Sequence, residues 1–519
     1  MKKQIISLLL LFIASASLFG QGYNHNFLIG YDFAYPPWGV NSDKGIIKID
    51  TLNFNVIGLS RKMKFRGAQA NIANANGDIL FYTNGCWIAN AMEDTMPNGT
   101  RIATDVIDSI WCSTAGIQWV QSSLILPMPD DSNKYVLFHH GSSYVNPPND
   151  LPLISYYSVI DMSLDNGLGA VVPGQKKITL IQDTLLPGFA ACRHANGKDW
   201  WVYILKGNSR MIYKVLLTNQ GITSISTQNI GLLHITNEAQ KCFSPDGKKF
   251  AYRYHAGVMG NIVNEVRVFD FDRCTGNFSN PQVVSWPSYY GGLGLAFSSN
   301  SKYLYTVSDF DTILQINTDT SNMQASMTVV AINDGYYSPP GQTLFQTGFW
   351  TMYLAANGKI LISSGSGVVD LHYINYPDSG GLACDVHLHD LHMPCFTFRS
   401  NVNHPNYYLG CDTTQTNCPC LITGVNNLSP PDFKFRVYPN PITKGILNIG
   451  YLLPQSASGG KSGLFEMVDV TGKVVFKYTL PPWSNEQAFK LPDLANGVYN
   501  CVIWSDGKRV SRKVAVIRE

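Results

Sequence analysis

The densest group of side chains able to do chemistry is Asp385-Val386-His387-Leu388-His389-Asp390-Leu391-His392. On a β-strand His387 and His389 point to one face, because side chains alternate. Two imidazoles beside a carboxylate form a possible transition-metal site, against the simpler reading of a polar outer-strand face. His139-His140 is weaker, since adjacent strand residues face opposite ways. Acidic pairs occur at Asp130/Asp131, Asp270/Asp272 and Asp309/Asp311. Converging on one spot, they would suit calcium or zinc and a hydrolase; separately, each caps a turn. The chain has no Gly-x-Ser-x-Gly elbow, His-Glu-x-x-His motif or phosphate-binding Gly-x-x-x-x-Gly-Lys-Ser/Thr loop. No cofactor is predicted and no residue is assigned a catalytic role.

Aromatic loops offer binding chemistry. Tyr35-Pro36-Pro37-Trp38, Tyr289-Tyr290-Gly291-Gly292 and Tyr336-Tyr337-Ser338-Pro339-Pro340 lie in turn-rich stretches. Exposed rings stack on sugars or anchor a protein partner, whereas buried ones would pack between sheets.

These residues need a scaffold, and one local pattern recurs. A polar turn precedes a short β-rich strand at Gly77, Asn133, Gly197, Gly247, Ser301 and Gly358, spaced 56, 64, 50, 54 and 57 residues apart. That period, with short strands and no long helical pattern, predicts a β-propeller. Phe243-Ser244-Pro245-Asp246-Gly247-Lys248 and Ala296-Phe297-Ser298-Ser299-Asn300-Ser301-Lys302 resemble the turns of YVTN and other WD40-like propellers. Six copies are visible, and the span divided by the period predicts seven blades. Six or eight blades, or an array of β-sandwiches, are the alternatives. The missing blade is expected to be composite, with residues 27–49 joining residues 383–398.

The fold class is therefore all-β: a seven-bladed propeller over 22–420, a Pro-containing linker over 421–433, and a small Ig-like sandwich of about seven strands over 434–519. The N-terminus, with Met1-Lys2-Lys3 before a short apolar run and small residues, reads as a signal peptide over 1–20. The run is too short to span a membrane.

The C-terminal segment resembles the type A sorting domain of the Bacteroidetes type IX secretion system. The resemblance rests on Tyr438, Pro439, Asn440, Pro441, Gly472, Gly497, Tyr499, Gly507 and Lys508. It implies recognition by the translocon and the sortase, and a secreted or cell-surface location. Pieces such as Asp78-Ile79-Leu80-Phe81-Tyr82 and His404-Pro405-Asn406-Tyr407-Tyr408 also resemble secreted Bacteroidetes proteins, which points to origin rather than activity. Asp-Thr or Asp-Ser before an apolar residue or Thr resembles the Bacteroidetes O-glycosylation sequon at Thr51, Thr95, Ser109, Thr184, Thr312 and Thr413.

Export permits disulfides. Of eleven cysteines, Cys384–Cys395 and Cys411–Cys418 are the expected bridges, and Cys501 a buried thiol. Charged residues make up only 14% of the chain and the net charge is +2, which provides no footprint for nucleic acid. The resulting expectation is an exported propeller that binds a glycan or a protein. The alternatives are a metal-dependent, lactonase-like hydrolase at the channel, or a structural part of the cell envelope or motility apparatus.

Overall fold

The computed structural model describes residues 22–517 except 32–43, 51–52, 75–76, 114, 143–150, 236–239, 340, 342–344, 366, 413, 415–417, 419–434, 444, 452, 454–461, 481–485 and 506–507. The signal-peptide and linker segments therefore lie outside the described residues.

Among the described residues between Asn26 and Thr397 the chain forms seven successive antiparallel sheets, each a simple meander. We number them as blades 1 to 7: Asn26–Leu59, Ala70–Asn90, Ser123–Gln182, Ala190–His234, Lys241–Ser288, Leu295–Ile332 and Met352–Thr397. Blades 1 and 2 have three strands, blades 4 to 7 have four, and blade 3 splits its outermost strand into Ala170–Val171 and Ile178–Gln182. First strands of successive blades contact one another, as in blades 1 and 2, 2 and 3, 4 and 5, 5 and 6, and 6 and 7. They are largely buried, wholly so at Asn26–Ile29 and Ala70–Ala73, whereas an outer strand such as Phe54–Leu59 has no buried residue. A sheet covered on both faces at its inner edge and wetted at its outer edge needs this gradient.

The six repeated turns all join the first and second strands of blades 2 to 7. They share a chemistry: Ser244 and Ser298 side chains accept from the N–H groups of Lys249 and Tyr303, and glycines 77, 197, 247 and 358 take positive φ. All six lie on one end of the ring, the hairpin face. The opposite end, the loop face, carries the second-to-third-strand turns and the connections between blades.

Ring closure differs from the composite blade expected. Residues 27–49 and 383–398 stay in separate sheets, blade 1 and blade 7. The two blades pack face to face, with Phe27, Ile29, Leu391, Met393 and Cys395 in one core cluster and a Tyr31 N–H donating to Phe396 O at 2.9 Å. The reason is length: blade 7 holds four strands of its own, so no position is left for a strand from the N-terminus.

The described residues of 435–516 form a second all-β unit of seven strands in two sheets, one of three strands and one of four. Phe465, Phe489, Tyr451, Ile503 and the buried Cys501 are among the residues that fill its interior. Burial pushes the Cys501 thiol up to about 12.

The disulfides correct both expected pairings. Cys418 bonds Cys274, across a separation of 144 residues, and Cys86 bonds Cys112; Cys411 is in a disulfide as well. Cys384 is buried beside Tyr305 between blades 6 and 7, while Cys395 belongs to the cluster between blades 7 and 1. Alternate packing faces hold those two thiols apart.

Candidate functional site

The channel of the ring is where the hydrolase alternative would place its chemistry, and it is occupied by the chain itself. After blade 7 ends on the loop face at Thr397, residues 398–412 run down the axis to the hairpin face. Arg399 donates to Gln118 O at 3.4 Å and the Asn401 side chain to Met352 O, both at the loop face. Asn403 Nδ2 then reaches Gln121 O, Ser123 O and Phe189 O at 3.3, 3.2 and 3.1 Å. His404 bridges Asn71 O and the Tyr353 hydroxyl, and Tyr407 donates to Ile125 O at 2.9 Å. At the hairpin face Arg193 holds Tyr407 O, Arg273 holds Gly410 O, and Asp412 N–H donates to Ala195 O. The Cys274–Cys418 bond fixes the exit. Asn401, Val402, Asn403, Tyr407 and Leu409 are all buried.

Above the thread, glutamine amides stand in for strand pairing between blades. Gln121 exchanges two 2.9 Å bonds with the Lys241 backbone, and Gln240 bonds Leu295 and Met352. Such side chains satisfy strand termini that splay apart at the axis. Gln121 and Gln240 each stand at or just before a first strand, and Asn recurs at 401, 403 and 406; those were the available signals.

The acidic pairs do not converge. Asp130 pairs with Lys198 at 2.8 Å and Asp131 with Lys134 at 2.9 Å on the hairpin face. Asp270 accepts from Asn280, and Asp272 caps the Cys274 and Thr275 turn. Asp309 and Asp311 lie at the other end of the ring, in one turn of blade 6.

His387 and His389 do not share a face. His389 has φ 40° at an irregularity of the outer strand of blade 7, which breaks the alternation. Its Nε2 meets Asp334 at 2.9 Å and its ring stacks on Tyr336. His387 stacks on Tyr373 and places Nδ1 on Asp390 and Nε2 on Asp385. Burial disfavours its charge, but the two carboxylates outweigh that and raise its pKa. Among the described residues no three His, Cys, Asp or Glu side chains are grouped to hold a metal ion.

The aromatic loops give the more coherent surface. Tyr289 and Tyr290, 54% and 43% exposed, meet edge to face at 4.7 Å on the loop face. Tyr290 adjoins Phe310 at 6.3 Å, and Phe310 stacks on Trp350 at 4.2 Å and 20°. Trp350 also lies close against Gly365, where an added Cβ would sit 1.9 Å from the indole. Asp309 Oδ1 accepts from Tyr290 N–H at 2.6 Å, tying the two loops. Tyr336 is instead stacked on His389, and Tyr35 and Trp38 lie outside the described residues. The sequence did not single out Phe310 or Trp350; an Asp-Phe pair where a tight turn usually has Asn-Gly was the only hint.

In the C-terminal unit the Tyr438 to Pro441 motif meets the last strand. Asn440 donates to Lys513 O at 3.2 Å and accepts from Ala515 N–H at 3.0 Å, while Ile442 exchanges backbone bonds with Ala515 and Ile517. Gly472, at φ 87°, forms the turn capped by Asp469, and the Tyr499 hydroxyl donates to Ala495 O at 2.8 Å. Gly497 pairs with Val516 in the same sheet that Lys508 ends; Gly507 lies outside the described residues. Thr95 and Ser109 of the sequons are exposed, Thr184 and Thr312 half-buried, and Thr51 and Thr413 lie outside the described residues.

Residues 436–517 match the family of secretion system C-terminal sorting domains. This unit is a type IX sorting domain, and it marks the chain for export through that system. No curated protein matches the sequence. Among solved structures, a putative 6-phosphogluconolactonase from Bacteroides fragilis is similar over 59% of this chain and 94% of its own, at 11% identity and TM-score 0.30. An oligogalacturonate lyase in complex with manganese is similar over 67% and 86%, at 14% identity and TM-score 0.33. The β-propeller domain of Cps50 from Myceliophteria thermophila is similar over 63% and 88%, at 9% identity and TM-score 0.31. The propeller assignment rests on the seven sheets themselves. No helix among the described residues is long and apolar enough to cross a membrane.

Proposed function

We propose that this chain is an exported binding module. Its sorting domain engages the type IX translocon and sortase, and its propeller takes a glycan on the loop face. The observation that carries this reading is the filled channel: residues 398–412 occupy the axis, so recognition falls to the rim. There Tyr289, Tyr290, Phe310 and Trp350 form one connected aromatic group, with the Asp309 carboxylate bonded to the Tyr290 N–H and the exposed Asp311 in the same turn as Phe310. Rings that stack on the apolar face of a sugar, beside oxygens that accept its hydroxyls, suit a neutral glycan. Rigid sheets carrying a rim of loops suit binding without chemistry.

The test is titration of the full chain with laminarihexaose, xylohexaose and chitohexaose, repeated on Tyr289→Ala/Tyr290→Ala. Saturable binding that the double substitution weakens is the expected result. A chain that binds none of the three, or binds equally without the tyrosines, contradicts the reading.

A further inference from the structure

The turn that presents Phe310 has an unusual backbone. Asp311 N–H donates to Ser308 O at 3.1 Å, and the two residues between, Asp309 and Phe310, have φ of 53° and 60°. A tight turn with two left-handed residues calls for Asn-Gly, because a Cβ is strained there. The corresponding turns of blades 4 and 5 each put only one residue at positive φ, Asn208 at 51° and Gly260 at 89°, and both are residue types that tolerate it. Blade 6 instead places one of the bulkiest side chains in the position least suited to it. The surroundings hold it there: Phe349 N–H donates to Phe310 O at 2.7 Å, Asn333 N–H to Asp311 O at 2.6 Å, and the ring lies on Trp350, which is itself packed close to Gly365.

Strain held by several independent contacts marks a position selected for what it presents. The Phe310 ring is half-buried, with one face on Trp350, so its remaining surface is turned toward Tyr290 and solvent. We infer that Phe310 is the primary stacking platform of the loop-face site, fixed in advance by its strained turn, for the apolar face of a neutral sugar. This inference rests on the glycan-binding reading and deepens it. Tyr289 and Tyr290 then act as a more exposed flank, and Trp350, packed close to Gly365, as the support that keeps the platform still.

The test compares Phe310→Ala, Phe310→Gly and Tyr289→Ala/Tyr290→Ala in the full chain, by thermal unfolding and by titration with the same three hexasaccharides. Both Phe310 variants are expected to weaken binding by about tenfold or more. Phe310→Gly should also melt above Phe310→Ala, reversing the usual order of these residues, because only glycine relieves a left-handed φ. Unchanged affinity in both Phe310 variants, with loss only in the tyrosine variant, overturns the inference and spares the glycan reading. Phe310→Gly melting below Phe310→Ala overturns the claim of strain. Absence of binding by the unaltered chain removes both.

Discussion

Replacing Cys274 and Cys418 together by serine cuts the covalent anchor of the axial thread. The bond closes a loop of 144 residues that contains part of blade 5, all of blades 6 and 7, and the thread. In the chain-entropy treatment a loop of that length restrains the unfolded state by about 5 kcal/mol. The Cys86–Cys112 bond, with a separation of 26, gives about 3.5 kcal/mol by the same relation. The difference of about 1.5 kcal/mol is the sharper quantity, because native strain and residual structure lower both absolute values. The native fold should survive both replacements, since Arg193, Arg273, Asn403 and Tyr407 still hold the thread. Guanidinium unfolding of the full chain under oxidising conditions, followed by tryptophan fluorescence, measures both losses. Equal losses, or a smaller loss for Cys274→Ser/Cys418→Ser, would refute the view that the thread belongs to the propeller's cooperative unit.

Asn403→Ala removes one buried amide that serves three backbone carbonyls, and the propeller should lose about 3 kcal/mol in denaturant melts; a loss under about 1 kcal/mol would contradict the arrangement. His234 and His372 are fully enclosed, and burial lowers each to about 4. The unfolded rings titrate near 6.5, so stability is level above that pH and falls as pH drops toward 4, by about 2 kcal/mol for each ring at pH 5. Urea midpoints at pH 7 and pH 5 check the sign, and an equal or higher midpoint at pH 5 rejects it. Asn440→Ala removes both side-chain bonds to the last strand of the sorting domain and should cost about 1 kcal/mol, with less chain in the culture medium and more retained in cells; undiminished export would show that the clamp is dispensable.

The propeller was legible because its repeat is local. Each hairpin turn, such as Ser244 to Lys249, encodes its own geometry within six residues, and the six copies fall at one place in blades 2 to 7. The sorting domain was legible for a similar reason, since its turn and clamp residues come in a fixed order. What escaped notice depends on contacts far apart in sequence. Asn403 meets Gln121 from 282 positions away, and nothing around either residue reports the other. Cysteine pairing failed likewise: nearness suggested Cys411–Cys418, but the thread's path delivers Cys418 to Cys274. The His387/His389 reading failed on one backbone angle at His389, which no alternation pattern reveals. The rim was half legible, as Tyr289 and Tyr290 sit in an evident loop, whereas Trp350 and Phe310 meet only once blades 6 and 7 are adjacent.

Recognition at the rim requires that the axis be filled. Hydrogen exchange of the backbone amides of 401–412 in the full chain tests that most directly. A thread that is part of the core exchanges as slowly as the first strands Ala70–Ala73 and Leu295–Phe297, because its amides open only when the ring does. Rapid exchange of 401–412 while those strands stay protected would mean an open channel, and the loop-face account would fall with it.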